Sequence, residues 1–159
     1  MAGKKNNSTI YLGADHRGFK LKEQIKEFLK IESLSYEDCG DLIYKKNDDY
    51  PDYARQVATK IQKSKFKAKG ILLCGSAEGV CITANKFKGI RAALVESKEQ
   101  ATLAVKHDHA NVICLPADRI SIRKAKQIIL AFSVAKPSQA QRHLRRVNKI
   151  KRIERQNFK

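Results

Sequence analysis

Short apolar runs and longer segments with helical spacing alternate along the chain. Five runs of aliphatic, aromatic or β-branched residues predict strands at 8–12, 34–39, 70–74, 90–95 and 111–115. Elsewhere apolar residues recur every three or four positions, which predicts six helices. Three are predicted over 19–29, about 52–61 and 120–134, one ends at about 86, one starts at 97, and the last starts at about 138. Ser97 with Gln100, and Ser138 with Gln141, have the spacing of a capping box.

The run 70–74 is apolar and too short for a helix, as expected for a strand that is buried on both faces. The alternation of strands and helices predicts an α/β fold with a mostly parallel sheet and helices on both of its faces. Ligands bind beyond the carboxyl ends of the strands in such sheets. A site is therefore expected in the segments that follow strands, at 13–18, 75–79, from 96 and 116–121.

Length and composition limit the class of protein. The chain has 159 residues and a mass of 18.0 kDa, with 42% hydrophobic and 31% charged residues. We expect one domain over 1–159, with residues 1–7 as a flexible tail. No apolar run approaches the roughly 20 residues of a membrane span, and the polar N-terminus lacks a signal-peptide pattern. We therefore expect a cytoplasmic protein without membrane contact.

The formal net charge is +17, and much of it lies at the end of the chain. Residues 136–159 hold nine of the 33 Lys and Arg residues against one acid, Glu154, so a basic C-terminal helix is predicted over 138–159. Such charge attracts anionic substrates or nucleic acid. Because the chain has no stacking platform or recognised nucleic-acid motif, we expect nucleic-acid binding to be non-specific at most.

Metal and redox chemistry have little support in the sequence. The four cysteines are widely spaced, which favours reduced and mostly buried thiols: Cys39, Cys74, Cys81 and Cys114. His107 and His109 form a His-x-His pair, but no cysteine ligand or third histidine stands nearby. With no dinucleotide fingerprint either, we expect no metal and no cofactor.

Three segments carry candidate chemistry. Asp15, His16 and Arg17 lie on a turn before a predicted helix, where backbone N–H groups favour anions, although a cap, a surface histidine and a solvated arginine would explain them equally well. Cys74 ends a strand and enters a turn that opens a helix, so we expect the helix dipole to lower its pKa below the free value of about 8.5. Arg142 and Arg146 are spaced to hold one phosphate together, or form a solvated helix face.

Six segments stand out as motifs: G-A-D-H-R-G-F-K-L-K from Gly13, D-Y-P-D-Y-A from Asp49, G-I-L-L-C-G-S-A-E-G-V-C-I-T-A-N-K from Gly70, K-G-I-R-A-A-L from Lys88, His107 shortly before A-N-V, and R-H-L-R-R-V from Arg142. In this order they resemble the ribose-5-phosphate isomerase B family, which also includes the galactose-6-phosphate isomerase subunits. The resemblance runs from about residue 10 to residue 154.

The resemblance implies a three-layer α/β/α sandwich, with a Rossmann-like parallel sheet of about five strands and a C-terminal helix. It implies a cofactor-independent aldose–ketose isomerase that acts on a phosphorylated sugar through an enediolate. It also implies a homodimer, or a dimer of dimers, with active sites at the subunit interface.

The resemblance also assigns roles to residues. Cys74 matches the proton-abstracting thiol, His107 the residue that assists ring opening, and Arg142 and Arg146 the phosphate ligands. The remaining substrate-binding positions are Asp15, His16, Gly75, Ser76, Ala77, Gly79 and Asp108. These residue types suit the chemistry, which needs a base beside the carbonyl, donors for the enediolate and an acid–base for the ring.

The sequence departs from the family pattern at four positions. Ala77 stands at a position that is usually glycine, and Glu78 brings a carboxylate into the same turn as a rival catalytic base. Asp108 replaces the usual Asn after the histidine, which exchanges a donor for an acceptor. The arginine expected after the fifth strand is matched loosely by Arg119, one place behind Asp118.

The leading hypothesis is interconversion of ribose 5-phosphate and ribulose 5-phosphate. The same chemistry on a six-carbon phosphate, such as allose or galactose 6-phosphate, is its close rival. A nucleic-acid-binding protein on an isomerase scaffold and a catalytically silent subunit of a hetero-oligomer are the other hypotheses. The presence of Cys74, His107 and both arginines together argues against a silent subunit.

Overall fold

The computed structural model describes residues 8–158 and contains one five-stranded parallel sheet. Its strands are β1 (Ile10–Ala14), β2 (Tyr36–Asp38), β3 (Lys69–Cys74), β4 (Ala92–Leu94) and β5 (Val112–Pro116). Their order across the sheet is β2-β1-β3-β5-β4, and each neighbouring pair is parallel. The five predicted strands are confirmed, with ends that differ by two residues or fewer. The tail predicted at 1–7 lies outside the described residues.

The described residues form six helices: α1 (Phe19–Ile31), α2 (Tyr50–Lys63), α3 (Glu78–Ala84), α4 (Lys98–Asp108), α5 (Ile122–Val134) and α6 (Gln141–Asn157). Helices α1, α4 and α5 cover one face of the sheet, and α2 and α3 cover the other, so the predicted α/β/α sandwich is confirmed. Helix α6 contacts α4 and buries His143 and Val147. Over residues 8–158 we find no helix with the length and apolar character needed to cross a bilayer. A single domain over the whole chain stays a prediction.

Strand β3 lies at the centre of the sheet and is covered on both faces. Ile71 and Leu73 pack toward α1, α4 and α5, whereas Leu72 and Cys74 pack toward α2 and α3, because successive side chains of a strand alternate. None of the four is more than 5% exposed, as its continuous apolar sequence predicts. Cys74 pairs with Pro116 where the strands end. We call this end of the sheet the carboxyl edge and the opposite end the amino edge.

The starts of α4 and α2 differ slightly from the predicted ones. Ser97 caps α4, since its Oγ accepts the N–H of Gln100 at 3.1 Å, while Gln100 Oε1 accepts the N–H of Glu96 instead of completing a regular capping box. Helix α2 begins at Tyr50, two residues before the predicted start. Pro51 in its first turn suits a position where a backbone N–H would have no helical partner.

The capping box predicted at Ser138 is wrong. Helix α6 begins three residues later, at Gln141, and has no side-chain cap. Ser138 is used to fix the preceding segment instead: its Oγ accepts the N–H of Ala140, and its own N–H donates to the carbonyl of Lys106 at 3.0 Å. These bonds attach the start of α6 to the last turn of α4.

Lys22 of α1 is completely buried and joins three acidic or carbonyl groups. Its Nζ lies 2.5 Å from Asp38 Oδ2, 2.8 Å from the carbonyl oxygen of Asp41 and 2.9 Å from Glu23 Oε1. Burial alone would raise the pKa of Asp38, but hydrogen bonds from Lys22 and Lys26 outweigh it and lower that pKa. The ammonium therefore holds β2 and the loop after it against α1.

We expect Lys22→Ala to lower the free energy of unfolding by about 3–5 kcal/mol, because the buried Asp38 carboxylate loses one of its two cations and the Asp41 carbonyl oxygen loses its donor. Urea unfolding at a fixed protein concentration measures the change. Lys30→Ala on the same helix is the matched control, since Lys30 is exposed and pairs with Glu27 at the surface, where little change is expected. Equal effects of the two substitutions would contradict the structural role of Lys22.

Candidate active site

Cys74 is the last residue of β3 and lies in the wall of the carboxyl edge. Its side chain is 5% exposed, and the N–H of Ala77 donates to its sulfur at 3.1 Å. Its carbonyl oxygen accepts the N–H of Ala117 at 2.9 Å, which ties the strand end to the segment after β5. The central strand thus fixes the thiol beside the N-terminus of α3.

The predicted lowering of the Cys74 pKa is wrong. Burial raises the pKa of this thiol, and the N–H groups of Val80, Ala77 and Ser76 offset only part of the effect. The nearby Asp15 carboxyl raises the pKa further. Helix α3 has only seven residues, and its dipole does not compensate for the removal of the thiol from water. The thiol is therefore protonated at neutral pH in the single chain.

Asp15 and His16 follow β1 at the same edge. Asp15 is 5% exposed, its Oδ1 accepts the N–H of Gly18 at 3.0 Å, and burial raises its pKa against the lowering effect of that bond. Gly18, not Asp15, is the N-cap residue of α1. His16 Nδ1 lies 2.6 Å from Asp48 Oδ1, and the same oxygen accepts the His16 backbone N–H at 3.0 Å. The Asp48 carboxylate therefore contacts both the backbone N–H and the ring of His16.

Asp48 and Tyr53 were not identified as functional residues by sequence. Tyr53 Oη donates to Asp41 Oδ2 at 2.6 Å and also interacts with Asp48, so burial and both acceptors raise the pKa of the phenol. Asp41 is in turn held through its carbonyl oxygen by Lys22. We call Lys22, Asp41, Tyr53, Asp48 and His16 the positioning chain. The sequence feature that could have indicated Asp48 is its position directly before Asp49, the first residue of the D-Y-P-D-Y-A motif.

The backbone of the turn after Cys74 shows why the family usually has glycine at position 77. Ala77 is fully buried and has a φ of 71°, a left-handed conformation that favours glycine. Gly79 is packed against the ring of Tyr50, since a Cβ on Gly79 would lie 2.6 Å from that ring. In this turn Ser76 and Glu78 are exposed, Gly79 is half-buried, and Gly75 and Ala77 are buried.

The Glu78 side chain is exposed to solvent and lies beside Arg119. Its side chain is 54% exposed and lies 3.4 Å from Arg119, which also contacts Glu96 at 3.2 Å and the carbonyl of Ser76 at 3.0 Å. Hydrogen bonds from Ser76 and from its own N–H, together with Arg119, lower the pKa of Glu78. The loosely matched Arg119 therefore acts on the turn itself.

A second group of site residues lies at the amino edge. His107 and Asp108 end α4, and the ring of His107 lies 4.3 Å from that of His143 on α6. Arg142 Nε donates to His143 Nε2 at 3.2 Å, and Arg142 and Arg146 are both exposed. Burial and the neighbouring His107 and arginines lower the pKa of His143. Within the described part of the chain, the buried Nδ1 of His143 has no hydrogen-bond partner.

The structure therefore divides the predicted site residues into two half-sites. The carboxyl-edge half-site contains Asp15, His16, Cys74, Gly75, Ser76, Ala77, Glu78 and Gly79. The amino-edge half-site contains His107, Asp108, Arg142 and Arg146. Asp108 comes shortly before Asn111, whose carbonyl oxygen accepts the N–H of Gly70 at the start of β3. Because four residue steps of strand separate Gly70 from Cys74, the half-sites are roughly 13 Å apart or more.

The sequence profile of the family described as Ribose/Galactose Isomerase matches residues 10–150. The chain belongs to this family. The predicted resemblance is thereby confirmed, as is the enzyme class of aldose–ketose isomerase.

Relatives of the ribose/galactose isomerase family match nearly the whole chain. The probable ribose-5-phosphate isomerase B of Mycoplasma genitalium is 43% identical over 92% of this chain and 96% of that protein. Ribose-5-phosphate isomerase B of Mycobacterium tuberculosis is 40% identical over 92% of this chain and 90% of that protein. A crystal structure of the Mycoplasma genitalium ribose-5-phosphate isomerase B with bound ribulose 5-phosphate has a TM-score of 0.88 and 42% identity, and the match covers 94% of this chain and 97% of that one.

Metal chemistry has no visible site in the described region. Over residues 8–158, no three His, Cys, Asp or Glu side chains are grouped so that they could hold a metal ion. His109, the partner of His107 in the His-x-His pair, contacts the carbonyl oxygen of Ser138 through Nε2 at 3.1 Å. The expectation that the enzyme needs no metal or cofactor stays a prediction.

We expect iodoacetamide at pH 7 to modify Cys81 before Cys74. A hydrogen bond from Cys114 lowers the pKa of the half-buried Cys81 to about 7, whereas the pKa of Cys74 is raised, and thiolates are the reactive form. Labelling of Cys74 should accelerate steeply as the pH rises toward 9 and above. Peptide mass spectrometry of the wild type and of Cys81→Ser measures both rates. Preferential labelling of Cys74 at pH 7 would contradict the raised pKa.

Proposed function

We propose that this chain interconverts ribose 5-phosphate and ribulose 5-phosphate without a cofactor, with Cys74 as the catalytic base. One observation carries the proposal: a buried thiol lies beside Asp15 and receives the N–H of Ala77 at the end of the central strand. The fold that carries this thiol matches, at 42% identity, the crystal structure of the Mycoplasma genitalium enzyme with bound ribulose 5-phosphate.

The chemistry requires one proton to move between neighbouring carbons. The Cys74 thiolate removes the proton from C2 of the open-chain aldose, the C–H electrons form the C1–C2 double bond, and negative charge develops on O1. Backbone N–H groups of the turn 75–79 stabilise that charge. Transfer of the O2 proton to O1, and return of the abstracted proton from Cys74 to C1, give the ketose and regenerate the thiolate. The atoms balance without an oxidant or reductant.

The choice of Cys74 over Glu78 follows from position and basicity. Glu78 is exposed, engaged by Arg119 and has a lowered pKa, which makes it a weak base that faces water. The raised pKa of Cys74 makes its thiolate a strong base, although only a small fraction is ionised at neutral pH. The rate should therefore rise with pH through the neutral range, because a larger fraction of the thiol is then ionised.

The remaining groups are proposed to come from a second copy of the chain. His107, Arg142 and Arg146 suit ring opening and phosphate binding, but they lie at the opposite edge of the sheet from Cys74. A two-fold dimer with antiparallel sheets brings the carboxyl edge of each copy to the amino edge of the other and completes two sites. The unpaired, buried Nδ1 of His143 supports this assignment, because such an atom normally has a partner. Further association into a dimer of dimers, and a cytoplasmic location, stay predictions.

The substrate is tested by an activity screen of the purified protein in the presence of a chelator. We expect kcat/KM to be highest for ribose 5-phosphate among ribose 5-phosphate, allose 6-phosphate and galactose 6-phosphate. A higher value for either six-carbon sugar would change the substrate while keeping the chemistry. Loss of activity in chelator, with recovery on adding a divalent ion, would overturn the cofactor-independent mechanism.

We expect Cys74→Ala to lower kcat by at least about 100-fold, the usual effect of removing a general base. Glu78→Gln should have a much smaller effect, expressed mainly in KM, because it alters charge near the substrate without removing the base. Cys39→Ala is the matched control, since this thiol is also buried but is not part of either half-site. Retention of activity in Cys74→Ala together with its loss in Glu78→Gln would transfer the base to the carboxylate.

Hybrid dimers test the shared site. Cys74→Ala and the double variant Arg142→Ala/Arg146→Ala should each be nearly inactive alone. Co-expressed in equal amounts, they should recover about a quarter of wild-type activity, because half of the dimers are hybrids and each hybrid has one intact site of two. The control is a chain that carries Cys74→Ala, Arg142→Ala and Arg146→Ala together, which has no intact half-site and should stay inactive. No recovery in verified hybrids would place both half-sites within one chain.

A further inference from the structure

A separate cleft of about 590 Å³ lies at the amino edge, between the end of α2, the segment before β4 and the second half of α6. Its lining includes four cationic side chains, Lys88, Arg91, Lys151 and Arg155, and one aromatic ring. None of these residues belongs to either half-site. The cleft also accounts for part of the basic charge at the end of the chain that the isomerase reaction leaves unexplained.

Three of the four cations of the cleft form no ion pair within the described residues. Across residues 8–158, Lys88, Lys151 and Arg155 make no ion pair with a carboxylate. Glu154 is the single acid in the lining, and its Oε1 accepts the N–H of Gly89 at 2.6 Å. The cleft therefore has an excess of positive charge with donors available for an anion.

Arg91 is the most constrained of the four cations. Its Nε donates to the carbonyl oxygens of Asp108 at 3.1 Å and His109 at 2.9 Å. Burial lowers the pKa of Arg91, and the nearby Glu154 carboxyl offsets only part of this effect. Because Glu154 is one acid among four cations of the lining, the partly desolvated guanidinium favours a bound anion, and its planar donors suit phosphate.

Phe66 supplies an aromatic surface in a fixed position. Its side chain is 48% exposed, and its backbone is left-handed with a φ of 60°, an uncommon and strained conformation for a bulky residue. The ring packs against Gly89, where an added Cβ would lie 2.5 Å from the ring. Glycine at 89 thus permits a close ring–backbone contact that holds Phe66 at the wall of the cleft.

We propose that this cleft binds a nucleoside phosphate, with the base stacked on Phe66 and the phosphates held by Lys151, Arg155 and the neighbouring cations. Stacking of a base on an aromatic side chain and phosphate binding by Arg and Lys are the two interactions that this lining offers. The volume lies within the range of roughly 300–1,000 Å³ typical of small-molecule sites. One ring in a bounded cleft favours a mononucleotide over a nucleic-acid strand, which needs successive stacking surfaces along a groove.

Occupancy of the cleft is connected to the amino-edge half-site. Arg91 holds the carbonyl oxygens of the two residues that follow His107, and α6 carries both Glu154 of the cleft and the arginines of the half-site. A ligand that engages Arg91 therefore acts on groups next to the proposed ring-opening residue. The nucleotide-binding proposal does not depend on the catalytic assignment, whereas this coupling rests on the proposed function.

Calorimetric titration of the full-length protein with ADP tests the site. We expect saturable binding that Lys151→Ser/Arg155→Ser weakens at least about tenfold, because two charge-assisted contacts are removed. Arg145→Ser/Arg152→Ser removes the same charge from exposed positions of α6 outside the cleft, and should leave the affinity nearly unchanged. Phe66→Ser should weaken ADP but not inorganic phosphate, since stacking concerns only the base.

Four results would overturn the proposal. Equal loss in both double variants would reduce the binding to general electrostatic attraction, and equal affinity for inorganic phosphate and ADP would exclude recognition of the base. Competition by ribose 5-phosphate at the same affinity would make the cleft a second sugar-phosphate site. Much tighter binding of a 15-nucleotide RNA, abolished by the same substitutions, would favour a nucleic-acid surface.

The coupling is tested separately by measuring isomerase activity with and without saturating ADP. We expect a change in KM for the sugar phosphate that disappears in Lys151→Ser/Arg155→Ser. Unchanged kinetics with ADP bound would refute the coupling and leave the binding site in place. Absence of isomerase activity in the first place would count against the proposed function and not against the cleft.

Discussion

The burial of β3 on both faces is the constraint on which the rest of the structure depends. Strand β3 has a neighbouring strand on each side and helices on both of its faces, and in a parallel sheet all strands end at the same edge. Cys74 therefore reaches the carboxyl edge with Asp15 beside it, whereas the helices that return the chain carry His107 to the amino edge. The same topology that places the thiol at the carboxyl edge also separates it from the cationic groups that we propose as phosphate ligands.

The carboxyl-edge half-site depends on a buried charge for its geometry. Lys22 fixes the loop after β2, and the positioning chain transmits that constraint to His16. Each hydrogen bond of this chain is modest, but the members are buried or half-buried, where unpaired polar groups are costly. The loop is thus held by polar contacts in place of a hydrophobic core of its own, and the imidazole is oriented before any ligand binds.

Charge is arranged differently at the two edges. At the carboxyl edge, burial raises the pKa values of both Cys74 and Asp15, which favours their neutral forms. At the amino edge, α6 presents arginines and lysines that lack carboxylate partners among the described residues. This division suits a reaction in which a proton moves at one end of the substrate while a dianion is held at the other. The proposed reaction assigns no role to the remaining cations of α6, and the proposed nucleotide site beside Phe66 assigns one to Lys151 and Arg155.

The sequence by itself determined the strands, the α/β/α layers, the family and the residue types of the site, because apolar periodicity and local motifs act over short stretches of chain. It did not determine the pKa of Cys74, since burial is a property of the assembled core and outweighs the dipole of a short helix. It also missed Asp48 as the partner of His16, and it misplaced the start of α6 at Ser138. The hydrogen bonds that His16 forms with Asp48, and Ser138 with Lys106, join residues far apart in the chain. Which residues share an edge of the sheet, and hence the division into two half-sites, was decided only by the tertiary structure.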